Sequence, residues 1–506
     1  MTLSPATHGV IERVLADEAE TARLGADLAP ALRAGDVLAL SGDLGAGKST
    51  LARALVRALA QDDALDVPSP TFTLVQSYAT QPPIHHLDLY RLSGGDELDE
   101  LGLDEMLSDG AALIEWPERA GDRLPGATVQ VALSQRGDGR LAIITGGGPV
   151  FRRIAHSLAM RDLLRQAGWG AATRRPLSGD ASARGYEVVT LAGHAPRLLM
   201  DSPPLVLGPP VRDGKAYAEI AHTARNVSAF VAIDRLLAEA GFAVPDICAR
   251  DLDRGFLLIG HLGDGHFLED GRPVAERYAA AAALLADLHR HDWPRRAEAA
   301  PGVVHEIPPF DRDAMLIEAE LLLDWYTPYA TGAAASQPMR GEFRSLWNDA
   351  LDRIAGAEQS LVLRDFHSPN IIWRPERTGP DRMGLIDFQD ALIGPAAYDL
   401  ASLAMDARVT IPPEVEHATV DAYVAARESA GSFDAEALAL AYATMAAQRN
   451  TKILGIFVRL NERDGKPAYL KHMPRIRDYL SRALSHPALE AMRRFYMAHR
   501  IVEEQR

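Results

Sequence analysis

The chain is short of the residues that would tie it to an oxidising compartment or a membrane. Cys248 is its sole cysteine, so no internal disulfide can form and a reducing cytoplasm is the natural setting. It sits in the apolar run Val244-Pro245-Asp246-Ile247-Cys248-Ala249, which reads as core packing. No stretch approaches ~18 uncharged apolar residues, so no membrane-spanning helix is expected. Residues 1–19 lack an apolar core and carry Glu12, Asp17 and Glu18, unlike a signal peptide. Basic residues are outnumbered, 53 Lys and Arg against 69 Asp and Glu, for a formal net charge of -16. That argues against a broad nucleic-acid surface. Lysine is scarcest of all: Lys48, Lys215, Lys452, Lys466 and Lys471 are the only five. Each stands where an arginine would serve if solvation were the sole demand.

What is present suits a globular protein: 506 residues, 47% hydrophobic and 24% charged, enough for two or three domains with buried cores. Residues 16–32 read as an amphipathic helix. The apolar run 37–40, a Gly-rich turn and a helical pattern over 48–60 read as strand, loop, helix. Residues 84–89 and 111–115 read as buried strands, and 141–144 close the region. Gly146-Gly147-Gly148-Pro149 reads as a linker. These patterns divide the chain into domains at 1–147 and 148–506. Beyond the linker, 151–168 is helical, 186–191, 198–200 and 256–259 are strands, 361–388 is hairpin-like, and most of the remainder is Ala/Leu-rich helix.

Gly42-Asp43-Leu44-Gly45-Ala46-Gly47-Lys48-Ser49 fits G-x-x-x-x-G-K-[ST]. Its glycines let backbone N–H groups curl around phosphate oxygens, Lys48 reaches the β/γ-phosphates of ATP, and the Ser49 hydroxyl ligates Mg²⁺. Thr50 extends this nucleotide-binding segment. Such a loop needs a carboxylate near the metal and a group for the attacking water. Asp88 and Glu115, each at the end of a strand pattern, answer to those roles. His85 and His86 lack metal-ligand spacing and read as structural.

Arg364-Asp365-Phe366-His367-Ser368-Pro369-Asn370 contains D-x-x-x-x-N, and Ile386-Asp387-Phe388 follows. This is the logic of a kinase catalytic loop: Asp365 takes the acceptor proton, while Asn370 and Asp387 hold Mg²⁺. Ser178-Gly179-Asp180-Ala181-Ser182-Ala183-Arg184 reads as a phosphate-covering loop, with Asp180, Ser182 and Arg184 toward the nucleotide. The strand 198–201 has no lysine where a protein kinase would place one, so Arg184 stands in as the phosphate's cation. Asp390, Asp399, Asp406 and Arg408 read as a buried structural network rather than catalytic groups.

Residues 42–50, Val67-Pro68-Ser69-Pro70-Thr71-Phe72, 86–91 and Ile114-Glu115-Trp116-Pro117-Glu118 resemble, in order, four blocks of the TsaE family. That family is the ATPase component of the bacterial system that makes threonylcarbamoyladenosine in tRNA. The resemblance implies TsaB and TsaD partners, a switch segment in which Thr71 senses metal or γ-phosphate, and a metal-linked Asp88. It also places Glu115 and Trp116 in the family's Ile-Glu-Trp block. Ser49 stands where Thr is more usual, and the hydroxyl is kept.

The second half is similar to AmgK, the anomeric kinase of N-acetylmuramate and N-acetylglucosamine in the aminoglycoside-phosphotransferase-like superfamily. The similarity rests on 179–184, Met200-Asp201-Ser202-Pro203-Pro204, 363–370, 385–391 with Tyr398-Asp399-Leu400, and Gln448-Arg449-Asn450 onward. It implies an amino-sugar substrate. An alcohol such as choline, homoserine or an aminoglycoside is the alternative acceptor, and a nucleotide-dependent binding module is the alternative for the first half. The expected architecture is an α/β P-loop NTPase domain followed by a two-lobed, protein-kinase-like α+β domain.

Overall fold

A computed structural model describes residues 8–92, 96–177 and 184–503. The chain forms two compact units, residues 1–201 with 247–260, and residues 202–246 with 261–506.

In the first unit, β1 (Gly9–Leu15), β2 (Val37–Ser41), β3 (Val75–Tyr78), β4 (Ile84–Asp88), β5 (Ala111–Glu115), β6 (Val129–Arg136) and β7 (Gly139–Gly146) form one sheet. Their order is β1-β7-β6-β2-β5-β4-β3. The strands β4, β5, β2 and β6 run parallel. Such strands are covered on both faces and need unbroken apolar runs; Val37 to Leu40 and Ala111 to Glu115 are buried throughout. Helices α1 (Glu18–Leu28), α2 (Lys48–Ala60), α3 (Asp96–Glu100) and α4 (Leu103–Asp109) complete this part. Asp17 caps α1, accepting from the Glu20 N–H at 2.8 Å. Register decides where the chemistry falls: Leu40 pairs with Glu115, and Glu115 with Asp88. The P-loop that follows β2 and both carboxylates therefore share the carboxyl end of the sheet, where open α/β sheets take ligands.

The Gly-rich stretch is not a spacer. Gly146 ends β7, Gly147 caps α5 (Gly148–Gln166), and Pro149 occupies its first turn, where a missing N–H costs nothing. One face of α5 packs against a second, antiparallel sheet through Met160, Leu163, Leu164, Val189, Leu199 and Phe256. This sheet runs β8 (Thr173–Pro176), β9 (Gly185–Thr190), β10 (Arg197–Asp201), then Phe256–Gly260 and Ile247–Asp251. Cys248 corrects the sequence reading. It is exposed, because Ile247–Asp251 is an edge strand whose period of two turns Cys248 and Arg250 outward.

The second unit is mainly helical. Gln359–Val362 pairs with Leu392–Pro395, and Ile371–Trp373 with Met383–Leu385. The stretch expected to be one hairpin is thus two pairs, and the loop bearing Asp365 connects them. Among the described residues, no helix is long and apolar enough to cross a membrane.

Asp234, on helix Val227–Glu239, is 4% exposed, and its Oδ2 has no hydrogen-bond partner. Burial, assisted by the charge of Asp246, pushes its pKa up to about 8. A carboxyl that holds its proton more tightly when folded stabilises the fold at low pH. That stability drains away as pH rises from the ordinary aspartate range towards 8. The Asp234→Asn variant should therefore gain on the parent progressively between pH 5 and 8. At pH 8.5 its Tm should be higher by about 2–4 °C, the shift for roughly 1 kcal/mol in a unit of this size. Parallel Tm–pH curves in scanning calorimetry would contradict this.

Candidate phosphate-handling sites

In the P-loop, Gly42, Gly45 and Gly47 have φ of 135°, 81° and 104°, values that L side chains rarely adopt. A Cβ on Gly42 would lie 2.3 Å from the Leu133 carbonyl oxygen. The Ala46 N–H donates to the Asp43 carbonyl at 3.1 Å and closes the turn. Lys48, at the start of α2, donates from Nζ to the carbonyls of Gly42 (2.7 Å) and Asp43 (3.0 Å). Its ammonium also lies 3.7 Å from the centre of the Trp116 ring. Burial lowers the Lys48 pKa, opposed by Glu115, Glu118, Asp88 and Asp43. Trp116 reaches this place with φ of 59°. For a bulky residue that conformation is strained by ~1–3 kcal/mol, and the following Pro117 disfavours the right-handed helical alternative.

The two strand-end carboxylates divide the work. The Ser49 hydroxyl donates to Glu115 Oε2 at 3.1 Å, and His86 Nε2 lies 2.9 Å from Glu115 Oε1 in a buried pair. Asp88 Oδ2 accepts from Thr71 (2.7 Å) and Ser69 (2.9 Å), while its Oδ1 accepts from the Tyr90 N–H at 3.0 Å. The sequence reading brought Gly42, Asp43, Gly45, Ala46, Gly47, Lys48, Ser49, Thr71, Asp88 and Glu115 to one place, and the fold gathers them there. It did not single out Ser69, and His86, read as structural, meets Glu115 across neighbouring strands, a pairing that no local pattern in the sequence announces. The Thr50 hydroxyl bonds Glu18 on α1 at 3.4 Å.

The other site lies in the second unit. Asp365 is exposed, whereas its neighbours Arg364, Phe366 and His367 are buried. Asn370 Nδ2 donates to the Asp365 carbonyl (2.9 Å) and to Asp387 Oδ2 (3.4 Å). Gln389 Nε2 donates to Asp387 Oδ1 at 3.0 Å. Partial desolvation would raise the Asp365 pKa, but the positive field of His367, Lys452, Arg449 and Arg364 outweighs it and holds the carboxyl below its ordinary range. Arg364 and Asp387 both have positive φ, 69° and 62°. Buried acids hold the loop in this shape. Asp399 accepts the N–H groups of Leu363 (2.5 Å) and Arg364 (2.9 Å), and burial pushes its pKa up to about 7. Asp406 accepts the N–H (3.0 Å) and hydroxyl (2.5 Å) of Ser368. Half-buried Asp390 instead accepts the Ala224 N–H, outside the loop, at 2.7 Å. The sequence reading grouped these acids with Arg408 as a structural ion network; each of the three accepts backbone amides here. Beneath them, fully buried Glu318 binds Arg364, Lys452 at 2.8 Å and Gln448 at 3.2 Å.

Asp180 and Ser182 lie outside the described residues, and half-buried Arg184 immediately precedes β9. Among the described residues, no three His, Cys, Asp or Glu side chains converge as metal ligands. Both sites instead offer one or two oxygen donors beside a phosphate cradle or acceptor base, which suits Mg²⁺ bound largely through phosphate.

A P-loop at the carboxyl end of a parallel sheet and a kinase-type catalytic loop in a helical unit define a nucleotide-dependent phosphotransferase joined to a P-loop NTPase module. The model of the phosphotransferase enzyme family, APH, matches residues 173–433, just over half of the chain, and the chain belongs to that family. A second family model, threonylcarbamoyl adenosine biosynthesis protein TsaE, matches residues 15–142. An N-acetylmuramate/N-acetylglucosamine kinase of Caulobacter vibrioides is 33% identical over 353 residues, 67% of this chain and 95% of that protein. A tRNA threonylcarbamoyladenosine biosynthesis protein TsaE of Rickettsia bellii is 38% identical over 136 residues, 26% of this chain and 94% of that protein. Another TsaE, of Streptomyces coelicolor, is 50% identical over 99 residues, 19% of this chain and 66% of that protein.

The Asp399→Asn variant keeps one acceptor oxygen but turns an amide donor towards a backbone N–H. It should lose about 1–3 kcal/mol of stability in denaturant unfolding and most phosphotransfer turnover. Parent-like unfolding would show that Asp399 does not hold the loop.

Proposed function

We propose that the chain is bifunctional: a TsaE-type ATPase that supports threonylcarbamoyladenosine modification of tRNA, and an ATP-dependent kinase for the anomeric hydroxyl of N-acetylmuramate or N-acetylglucosamine. The observation that carries the first activity is the register placing Asp88 and Glu115 beside the P-loop. The second is carried by the Asp365, Asn370 and Asp387 constellation, with Asn370 reaching Asp387 at 3.4 Å. Kinship with the curated kinases supports the amino-sugar acceptor, and kinship with TsaE supports TsaB- and TsaD-like partners.

Bound Mg²⁺ would neutralise phosphate charge at each site. In the P-loop module the backbone of Gly42 to Ser49 cradles phosphate. Lys48 exchanges the loop carbonyls for phosphate oxygens. Ser49, Asp88 and Glu115 frame the metal position, and Glu115, oriented by His86, acts on the attacking water. In the kinase Asp365 accepts the proton of the acceptor hydroxyl, while Asn370 and Asp387 would hold Mg²⁺.

The Asp365→Asn variant should keep MgATP binding and lose about 10²–10⁴-fold in kcat; Asp387→Asn should weaken MgATP binding as well. Steady-state kinetics with N-acetylmuramate and calorimetric titration of MgATP decide this, and near-normal kcat in Asp365→Asn overturns the assignment. Phosphate at the sugar C1 identifies the acceptor, whereas phosphorylation of choline, homoserine or an aminoglycoside alone refutes it.

The whole chain should restore threonylcarbamoyladenosine in a strain lacking its own TsaE, read by mass spectrometry of digested tRNA. Its Lys48→Ala variant should not. Failure of the well-expressed parent, with compatible partner proteins present, refutes the first activity.

A further inference from the structure

The P-loop part and the small sheet of the kinase part belong to one compact unit, and a buried charge cluster lies where they meet. Asp27, on α1, is 3% exposed. Its Oδ2 accepts Arg161 Nε at 2.7 Å, and its Oδ1 accepts Arg161 Nη2 at 2.8 Å, a two-pronged pair. Oδ1 also accepts Arg174 Nη1 at 3.1 Å. Arg161 belongs to α5 and Arg174 to β8. Arg174 continues the chain of contacts to Glu187 on β9, with Nε to Oε2 at 2.6 Å and Nη2 to Oε1 at 3.0 Å. Arg161 Nη1 donates to the Ala172 carbonyl, one residue before β8, at 2.7 Å. The Ser157 hydroxyl donates to the Asp27 backbone carbonyl at 2.6 Å. Side-chain exposures of 2% for Arg161, 4% for Asp27 and 5% for Arg174 keep the cluster largely out of water.

The charge balance is specific. Two buried guanidinium groups share two carboxylates, and one of the carboxylates comes from the P-loop part. Removing a single partner from a buried pair strands the other charge, a far larger effect than loss of a surface pair. β8 is one of the sheet's two edge strands, and among the described residues its strand partner is β9. Arg174 crosses that pair to Glu187, so the charge of Asp27 bears on the geometry of both strands. Arg184, to which the sequence assigns the kinase nucleotide's phosphate, immediately precedes β9.

We propose that Asp27, a residue of the P-loop part, is a positioning residue of the kinase: through Arg174 and Glu187 it sets β8 and β9, and with them the nucleotide affinity of the phosphotransferase. This rests on the kinase reading above for its catalytic consequence, but not for its structural one. On this view the P-loop part serves two roles, its own nucleotide chemistry and completion of the kinase small lobe. The fusion is then a mechanical necessity for this chain rather than a tether.

The full-length Asp27→Asn variant tests the proposal, with Arg174→Lys as a milder second variant should the first fold poorly. Two quantities are read: hydrogen–deuterium exchange over residues 173–190, and the KM for ATP and for N-acetylmuramate in sugar phosphorylation. Asp27→Asn, which removes one charged partner, should speed exchange in 173–190 by about tenfold while leaving helix Ala435–Glu462 unchanged, and should raise the KM for ATP by about five- to tenfold with the sugar KM unaltered; Arg174→Lys, which keeps the charge but loses the two-pronged contact to Glu187, should move both in the same direction by less. Unchanged exchange in folded variants overturns the proposal. Faster exchange with an unchanged KM for ATP reduces Asp27 to a stabilising residue and overturns it equally. Faster exchange in a chain whose parent phosphorylates no sugar leaves the positioning of β8 and β9 standing and refutes the amino-sugar kinase reading instead.

Discussion

Buried carboxylates that grip backbone and hydroxyl groups are the constraint on which both sites depend. Phosphate chemistry calls for exposed backbone N–H groups and side chains aimed from sharp turns. Such turns put residues in unfavourable conformations, Trp116 at φ 59°, Arg364 at 69° and Asp387 at 62°. Hydrogen bonds must hold them there. Asp88 and Glu115 tie down Ser69, Thr71 and Ser49, while Asp399 and Asp406 tie down Leu363, Arg364 and Ser368. Each carboxylate gives up hydration and regains it as charge-assisted bonds to donors fixed in place.

Cations meet the same demand from the other side. Lys48 is anchored by loop carbonyls and an indole face, and Lys452 by Glu318 and the Tyr398 hydroxyl. Two of the five lysines thus lie beside phosphate-handling loops, Lys48 buried and Lys452 half-buried, each held by specific acceptors. Around Glu318, Arg364 and Lys452 share a single carboxylate. With His367 and Arg449, the positive charges of Lys452 and Arg364 hold the Asp365 carboxyl below its ordinary range against desolvation, so that the proposed base is ready to take a proton without first losing one.

Much of this was legible beforehand, for physical reasons that differ by element. The P-loop was readable because its requirements are local: glycine at positive φ, then Lys and Ser on the following helix. The strands β2 and β5 were readable because parallel strands buried on both faces must be continuous apolar runs. Cys248 was misread because an apolar run does not say which face of an edge strand is covered. The glycines at 146–148 were misread as a spacer because composition cannot distinguish a flexible tether from a turn that joins a strand directly to a helix. His86 was passed over because its partner, Glu115, is 29 residues away and meets it only across neighbouring strands.

By itself, the sequence determined the two phosphate-handling designs, their order in the chain and the residue types at each, since these follow from short motifs whose chemistry requires those groups at those spacings. Tertiary structure alone decided which carboxylate stands on Ser49, which acids hold the catalytic loop, and that Asp27 of one part completes a buried charge cluster in the other. Those outcomes depend on strand register and on the desolvation of charges distant in sequence, and neither quantity is written in any local stretch of the chain.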